Sequence, residues 1–163
     1  MAERATVQRA KQQLRRGRSA STAAGELVRE EMHHIREGKH GARSSKQAIA
    51  IGLSKARRAG VPLPAPTRGS AKTKRAAARD TAAGQHPRRA PSRTRGRATN
   101  RALRREPHRA ASPRALAAQA HTAATRRGDR ARSAAARQAV RTKGPRLRKT
   151  AARKAAATRK RDA

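Results

Sequence analysis

The sequence predicts an all-α protein: a small helical hairpin with an N-terminal helix before it and a long, largely disordered, Ala/Arg-rich basic tail of transient helices after it. Composition carries the first half of this reading. The 163 residues include 44 Lys and Arg against 9 Asp and Glu, a net charge of +35, and no Phe, Tyr, Trp or Cys. The apolar residues comprise 40 Ala and only 16 Leu, Ile, Val and Met. Large side chains supply most of the area that drives burial, while ordering the backbone costs roughly 1–2 kcal/mol per residue. High charge with low hydrophobicity favours disorder.

Distribution carries the second half. Nine of the sixteen large aliphatics (Leu27, Val28, Met32, Ile35, Ile49, Ile51, Leu53, Val61, Leu63) lie within residues 21–63. Four (Leu103, Leu116, Val140, Leu147) follow Leu63. Residues 1–60 carry a net charge of +9 and residues 61–163 one of +26. The expected divisions are therefore 1–18 (helix and linker), 19–61 (hairpin) and 62–163 (low-complexity basic tail).

Each element has its own signal. Residues 3–16 are good helix formers with a thin apolar stripe (Val7, Ala10, Leu14), and Gly17 is a fitting C-cap. Ser21 is placed to cap a helix reaching about Glu37, with Ala24, Leu27, Val28, Met32 and Ile35 on one face. Gly38 ends it. Ser44-Ser45-Lys46-Gln47 has capping-box form and opens a second helix over roughly 46–59. In that helix Gly52 costs about 1 kcal/mol against Ala, a cost that close approach of a facing helix can offset. Val61-Pro62-Leu63-Pro64-Ala65-Pro66 reads as extended polyproline. A unit this small is marginal by itself, so homodimerisation through the hairpin, or docking of the first helix, is expected to complete it.

Beyond Thr67 the pattern is helix-prone Ala/Arg/Lys runs separated by breakers. They cover 70–83, a short turn from Thr99 to Glu106, a Ser112-Pro113 start running to Arg127, 129–142 and 146–161. Residues 85–97 read as a Pro- and Arg-rich linker. No fixed period joins these runs, so they are low complexity and not a repeat fold. Their Ala faces are expected to be too small to pack.

The basic tail points to a polyanion. Each phosphate neutralised on a duplex releases counterions, and Arg-bearing helices contact phosphates with little base readout. The residues expected to make these contacts are Lys46, Lys55, Arg57 and Arg58 in the hairpin. In the tail they are Arg75, Arg88, Arg89, Arg104, Arg105, Arg126, Arg127, Arg146, Arg148, Lys149, Arg153 and Lys154. Without aromatic residues no stacking platform for single strands can form. Sequence-tolerant duplex DNA binding is the first expectation, and RNA the alternative partner.

Other chemistry is poorly supported. No cysteine means no disulfide or thiolate metal site. His33, His34 and His40 surround the hairpin turn, but adjacent helical residues point in different directions, so they read as exposed polar residues and no metal is expected. Glu26, Glu30, Glu31 and Glu37 read as acids favoured by the helix dipole and as partners for Arg29, Arg36 and Lys39. No phosphate loop or nucleophile elbow is present, so no cofactor and no enzyme activity are expected. Neither a membrane span nor a secretory core is apparent, and membrane binding is not expected.

Residues 25–60, GELVREEMHHIREGKHGARSSKQAIAIGLSKARRAG, resemble a family of small uncharacterised basic bacterial proteins marked by an EGKHG-type turn and a KQAIAIGLSKARRAG helix. Members are often labelled DNA-binding or plasmid-stabilisation proteins. The tail is similar to the low-complexity arms of linker-histone-like bacterial proteins. The resemblance implies a bacterial cytoplasmic origin and an intact hairpin, and it supplies no catalytic residues; nucleoid association or DNA compaction is the expectation from the basic tail. The rival expectations are an RNA- or ribosome-associated protein, and a hairpin that docks a protein partner while the tail anchors it.

Overall fold

A computed structural model describes residues 3–86 and 92–161. Its elements are α1 (Arg4–Arg15), α2 (Ala20–Arg36), α3 (Ser45–Arg58), α4 (Ala71–Gln85), α5 (Arg93–Arg104), a one-turn 3-10 helix (His108–Ala111), α6 (Pro113–Arg126) and α7 (Gly128–Arg161). No strand occurs among the described residues. The chain divides into two units, 1–119 and 120–163, with the division falling inside α6.

In the first unit α2 and α3 form the expected hairpin, and α1 packs on α2. Ser19, not Ser21, caps α2, its Oγ accepting the Thr22 amide. Ser44 Oγ accepts the Gln47 amide at 3.2 Å, as its spacing predicts. Gln47 reaches back one residue further than a capping box requires, accepting from the Arg43 amide at 2.8 Å. The core has two parts. Ala10, Ala23, Ala24, Leu27, Ala56 and Val61 make one, with Val7, Leu14, Leu53 and Leu63 against it. Met32, Ile35, Ala42, Ala48, Ala110 and Ala111 make the other, with Val28, Ile49 and Leu116 against it.

The expectation of a largely disordered tail is wrong. Helices α4, α5, α6 and α7 take up most of the described residues from Ala71 to Arg161, and Ala77, Ala110 and Ala111, ahead of α6, are buried. The error lies in treating Ala as too small to pack. Small residues let backbones approach, and here the approach is close. A methyl group on Gly84 of α4 would collide with the carbonyl of Arg57, and one on Gly41 would collide with the carbonyl of Glu106. Asp80 of α4 accepts from Ser54 Oγ at 2.5 Å and from Arg58 Nε at 2.7 Å. Ser45 Oγ donates to the Ala110 carbonyl at 2.6 Å, Arg36 Nε donates to the Ala111 carbonyl at 2.9 Å, and the Gly41 amide donates to the Leu103 carbonyl at 2.9 Å. Polar clips and Ala contacts thus replace the large aliphatics that this stretch lacks.

Past the hairpin the helix starts follow their caps. Ser70 Oγ accepts from the Thr73 amide, and Ser112 Oγ accepts from the Ala115 amide ahead of Pro113. Part of the segment read as linker, from Arg93 onward, is helical in α5. In the second unit the expected helices 129–142 and 146–161 form one element, α7, broken by a kink at Gly144 (φ 63°) before Pro145. Val140 and Leu147 are exposed, so α7 presents no apolar stripe and its helicity rests on Ala and local hydrogen bonds.

Candidate nucleic-acid interface and a buried polar cluster

Most residues expected to contact phosphate are on the surface. Lys46, Arg58, Arg75, Arg104, Arg105, Arg126, Arg127, Arg146, Arg148, Lys149, Arg153 and Lys154 are all exposed. In α7, Arg146, Lys149 and Arg153 share one face and line an open concavity with Thr150. Arg88 and Arg89 lie outside the described residues. Two hairpin residues behave otherwise. Lys55 turns inward, with 18% of its side chain exposed, and is held by Glu30 and Glu31. Arg57 is half-buried, donating to the Pro64 carbonyl at 3.4 Å.

One basic surface was foreseen only at Arg104. Arg93, Arg97, Arg101 and Arg104 recur at helical spacing on α5, and all are exposed. They form a stripe about 16 Å long at 1.5 Å per residue. The spacing was present in the sequence, but Gly96 and the neighbouring prolines made residues 85–97 look like linker.

Between α1, α2 and α3 lies a different kind of site. Glu31 is completely buried, with Lys55 Nζ 2.6 Å from Oε2 and His40 Nε2 3.4 Å from Oε1. Neither contact has hydrogen-bond geometry, so both carboxylate oxygens lack a directed donor. Lys55 is shared with Glu30 at 3.7 Å. Glu30 also accepts the Glu3 amide at 3.2 Å, tying α1 to α2. His34 is buried, with Nε2 3.0 Å from the Glu3 carboxylate. The His34 and His40 rings meet edge to face, 6.3 Å apart. One ligand-capable atom from each of Glu31, His34 and His40 lies within 4.8 Å of the other two.

The hairpin turn produces this convergence. At Gly38 (φ 73°) the chain reverses after α2, and Lys39 to Ala42 fold back along it. His33 points elsewhere, to Glu37 at 2.9 Å on the outside. The expectation that all three histidines are exposed therefore holds for His33 alone. On that outer surface Lys39 donates to Glu37 at 3.0 Å, which holds the Glu37 carboxyl below and the Lys39 ammonium above its ordinary range. A hydrogen bond from His34 likewise lowers the Glu3 carboxyl. Glu26 pairs with Arg29 at 3.2 Å, as its spacing suggests, and Arg36 serves the Ala111 carbonyl instead of an acid.

Residues 17–66 match the model of a family of unknown function (DUF6496). The match contains the whole hairpin and the polyproline segment, which agrees with the resemblance drawn from the EGKHG turn and the KQAIAIGLSKARRAG helix. Its description carries no activity. Comparison with curated proteins and with solved structures gives no match. Among the described residues no helix is long and apolar enough to cross a membrane.

Proposed function

We propose that the chain is a sequence-tolerant duplex DNA-binding protein that acts by phosphate neutralisation, in the manner of a nucleoid-associated or DNA-compacting protein of the bacterial cytoplasm. The observation that carries this reading is the presentation of charge on exposed helices. Residues 120–163 alone hold 15 Lys and Arg against 2 Asp, and the basic residues described along α7 face solvent. A solvated helix face of this charge density ordinarily mixes both signs, whereas here nearly every charge is positive. Packed so densely, these charges repel one another, and a polyanion relieves that repulsion.

The α5 stripe gives the first unit a basic edge of its own. Arg side chains in a row at helical spacing suit phosphate oxygens along a groove wall, positioning the protein without reading bases. The lack of any aromatic residue disfavours a single-strand platform. RNA duplexes present the same phosphates, so the partner is distinguished by experiment.

The test is a competition assay on the full chain. A labelled duplex DNA is displaced by unrelated duplex DNAs, by structured RNA and by single strands. Duplex DNAs of different sequence should compete equally, and single strands poorly. Replacing Arg93, Arg97, Arg101 and Arg104 by Gln should weaken binding uniformly across sequences. Preferential displacement by structured RNA would reassign the partner, and indifference to the four substitutions would remove α5 from the interface.

A further inference from the structure

We propose that Glu31, His34 and His40 form a binding site for a divalent transition-metal ion of the zinc type, built where the hairpin turn folds back on α2. The inference is independent of nucleic-acid binding and rests on the chemistry of the three side chains.

The orientation of His40 is the first argument. Its Nδ1 lies 3.1 Å from the Gly41 carbonyl, which can only accept, so Nδ1 carries a hydrogen. In the neutral ring the lone pair is then on Nε2, and Nε2 faces Glu31 Oε1 at 3.4 Å. A lone pair and a carboxylate oxygen so placed repel one another unless a metal ion or a proton lies between them. Backbone carbonyl support of the second ring nitrogen is the usual way a ligating imidazole is oriented.

Geometry is the second. Ligand bonds of about 2.0–2.1 Å in a tetrahedral zinc site place neighbouring ligand atoms about 3.3 Å apart. The His40–Glu31 separation of 3.4 Å already matches that edge. The ligand atom of His34 lies within 4.8 Å of the others, so it needs to close by at most ~1.5 Å. Its Nε2 is on the Glu3 carboxylate at 3.0 Å, so ligation through Nδ1 would complete the carboxylate–histidine pairing of a metal site.

Charge is the third. The ion pairs around the three side chains fall into two groups, Glu30 and Glu31 on Lys55 and Glu3 and Glu37 on Lys39. With neutral imidazoles each group keeps one negative charge in excess, so a cation bound between Glu31 and His34 is attracted by both. Lys55 occupies Oε2 of Glu31 and leaves Oε1 for the ion. Glu31 is the only one of the three ligands with no solvent exposure, and neither of its oxygens receives a directed hydrogen bond. Two imidazoles and one carboxylate suit zinc, nickel or copper, whereas magnesium and calcium require oxygen ligands. Bound there, the ion would fasten the turn to α2.

The rival is a network closed by protons, with both imidazoles charged and no metal. Titration calorimetry of the chelator-treated full chain with Zn(II) separates the two. One site is expected, with Mg(II) giving no heat. His34→Gln and His40→Gln should each weaken zinc at least tenfold, and His33→Gln should leave it unchanged, with helix content by circular dichroism compared in all three. A measurement on the unsubstituted chain guards against a folding defect: on adding zinc, the ring resonances of His34 and His40 should shift while those of His33 stay in place. Absence of zinc binding, or zinc binding that survives both substitutions, or resonance shifts confined to other histidines, would overturn the site.

Discussion

Lys55 of α3 places its ammonium 2.6 Å from the Glu31 carboxylate of α2, and Glu31 has no contact with solvent. The pair joins the two arms of the hairpin at the point where α1 also bears on them through Glu3 and Glu30. Removing one member of a buried pair strands the other charge, a loss of about 3–5 kcal/mol. Lys55→Met should therefore destabilise the chain by this amount in chemical denaturation. Combining it with Glu31→Leu should recover part of the loss, because the Glu31 charge is then gone and the buried Glu30 still accepts the Glu3 amide. A double variant no more stable than the single one would show that the pair contributes through something other than charge compensation.

Gly52 and Gly25 are both helical glycines with opposite surroundings. A Cβ on Gly52 would stand 2.7 Å from Val28 Cα, whereas nothing lies within 4 Å of one on Gly25. Helix propensity favours Ala over Gly by about 1 kcal/mol at both sites. At Gly52 overpacking costs about 1–3 kcal/mol and outweighs it. Gly25→Ala should raise the melting temperature and Gly52→Ala should lower it. Equal effects of the two substitutions would mean that α2 and α3 do not meet at this glycine.

Asp80 is the polar clip between α4 and α3. Its two oxygens accept from Ser54 and Arg58, and hydrogen bonds to a charged group contribute about 1.5–3 kcal/mol each. Asp80→Ala should accelerate amide exchange through residues 71–85 while leaving α2 protected. Unchanged exchange in α4 would mean that Ala77 and Gly84 hold the helix without it.

Glu37 supplies a pH dependence with a definite sign. Its hydrogen bond to Lys39 lowers the folded-state value below the ordinary 4.5. A lowered carboxyl contributes stability that is fully present above the unfolded value and lost as pH falls through the folded one. Both groups are on the surface, so the effect is small. By NMR titration the Glu37 midpoint should lie below 4.5 and move back toward it in Lys39→Ala. A midpoint that does not respond to this substitution would show that Lys39 is not its partner.

The hairpin was legible because its signals agree. Apolar spacing from Ala24 to Ile35, Gly38 after it and Ser44–Gln47 before the next helix all specify the same turn, and Gly52 marks the close approach correctly. The polar cluster was not legible. Glu31 and Lys55 are 24 residues apart, and helical periodicity cannot say that a lysine on α3 points inward toward α2. His34 and His40 converge only because the chain reverses at Gly38. The helices within residues 71–86 and 92–161 were missed for another reason. Counting large aliphatics undervalues Ala, whose packing depends on backbone approach at Gly41 and Gly84 and on clips such as Ser45 to Ala110, neither of which composition displays.

The central claim is that exposed cationic helices engage duplex phosphates. Its most direct test is the affinity of the full chain for a short duplex over a salt series. If about ten phosphates are engaged, the logarithm of affinity should fall with the logarithm of salt at a slope near −9, the same for unrelated sequences. Weak binding with a slope near zero would contradict it.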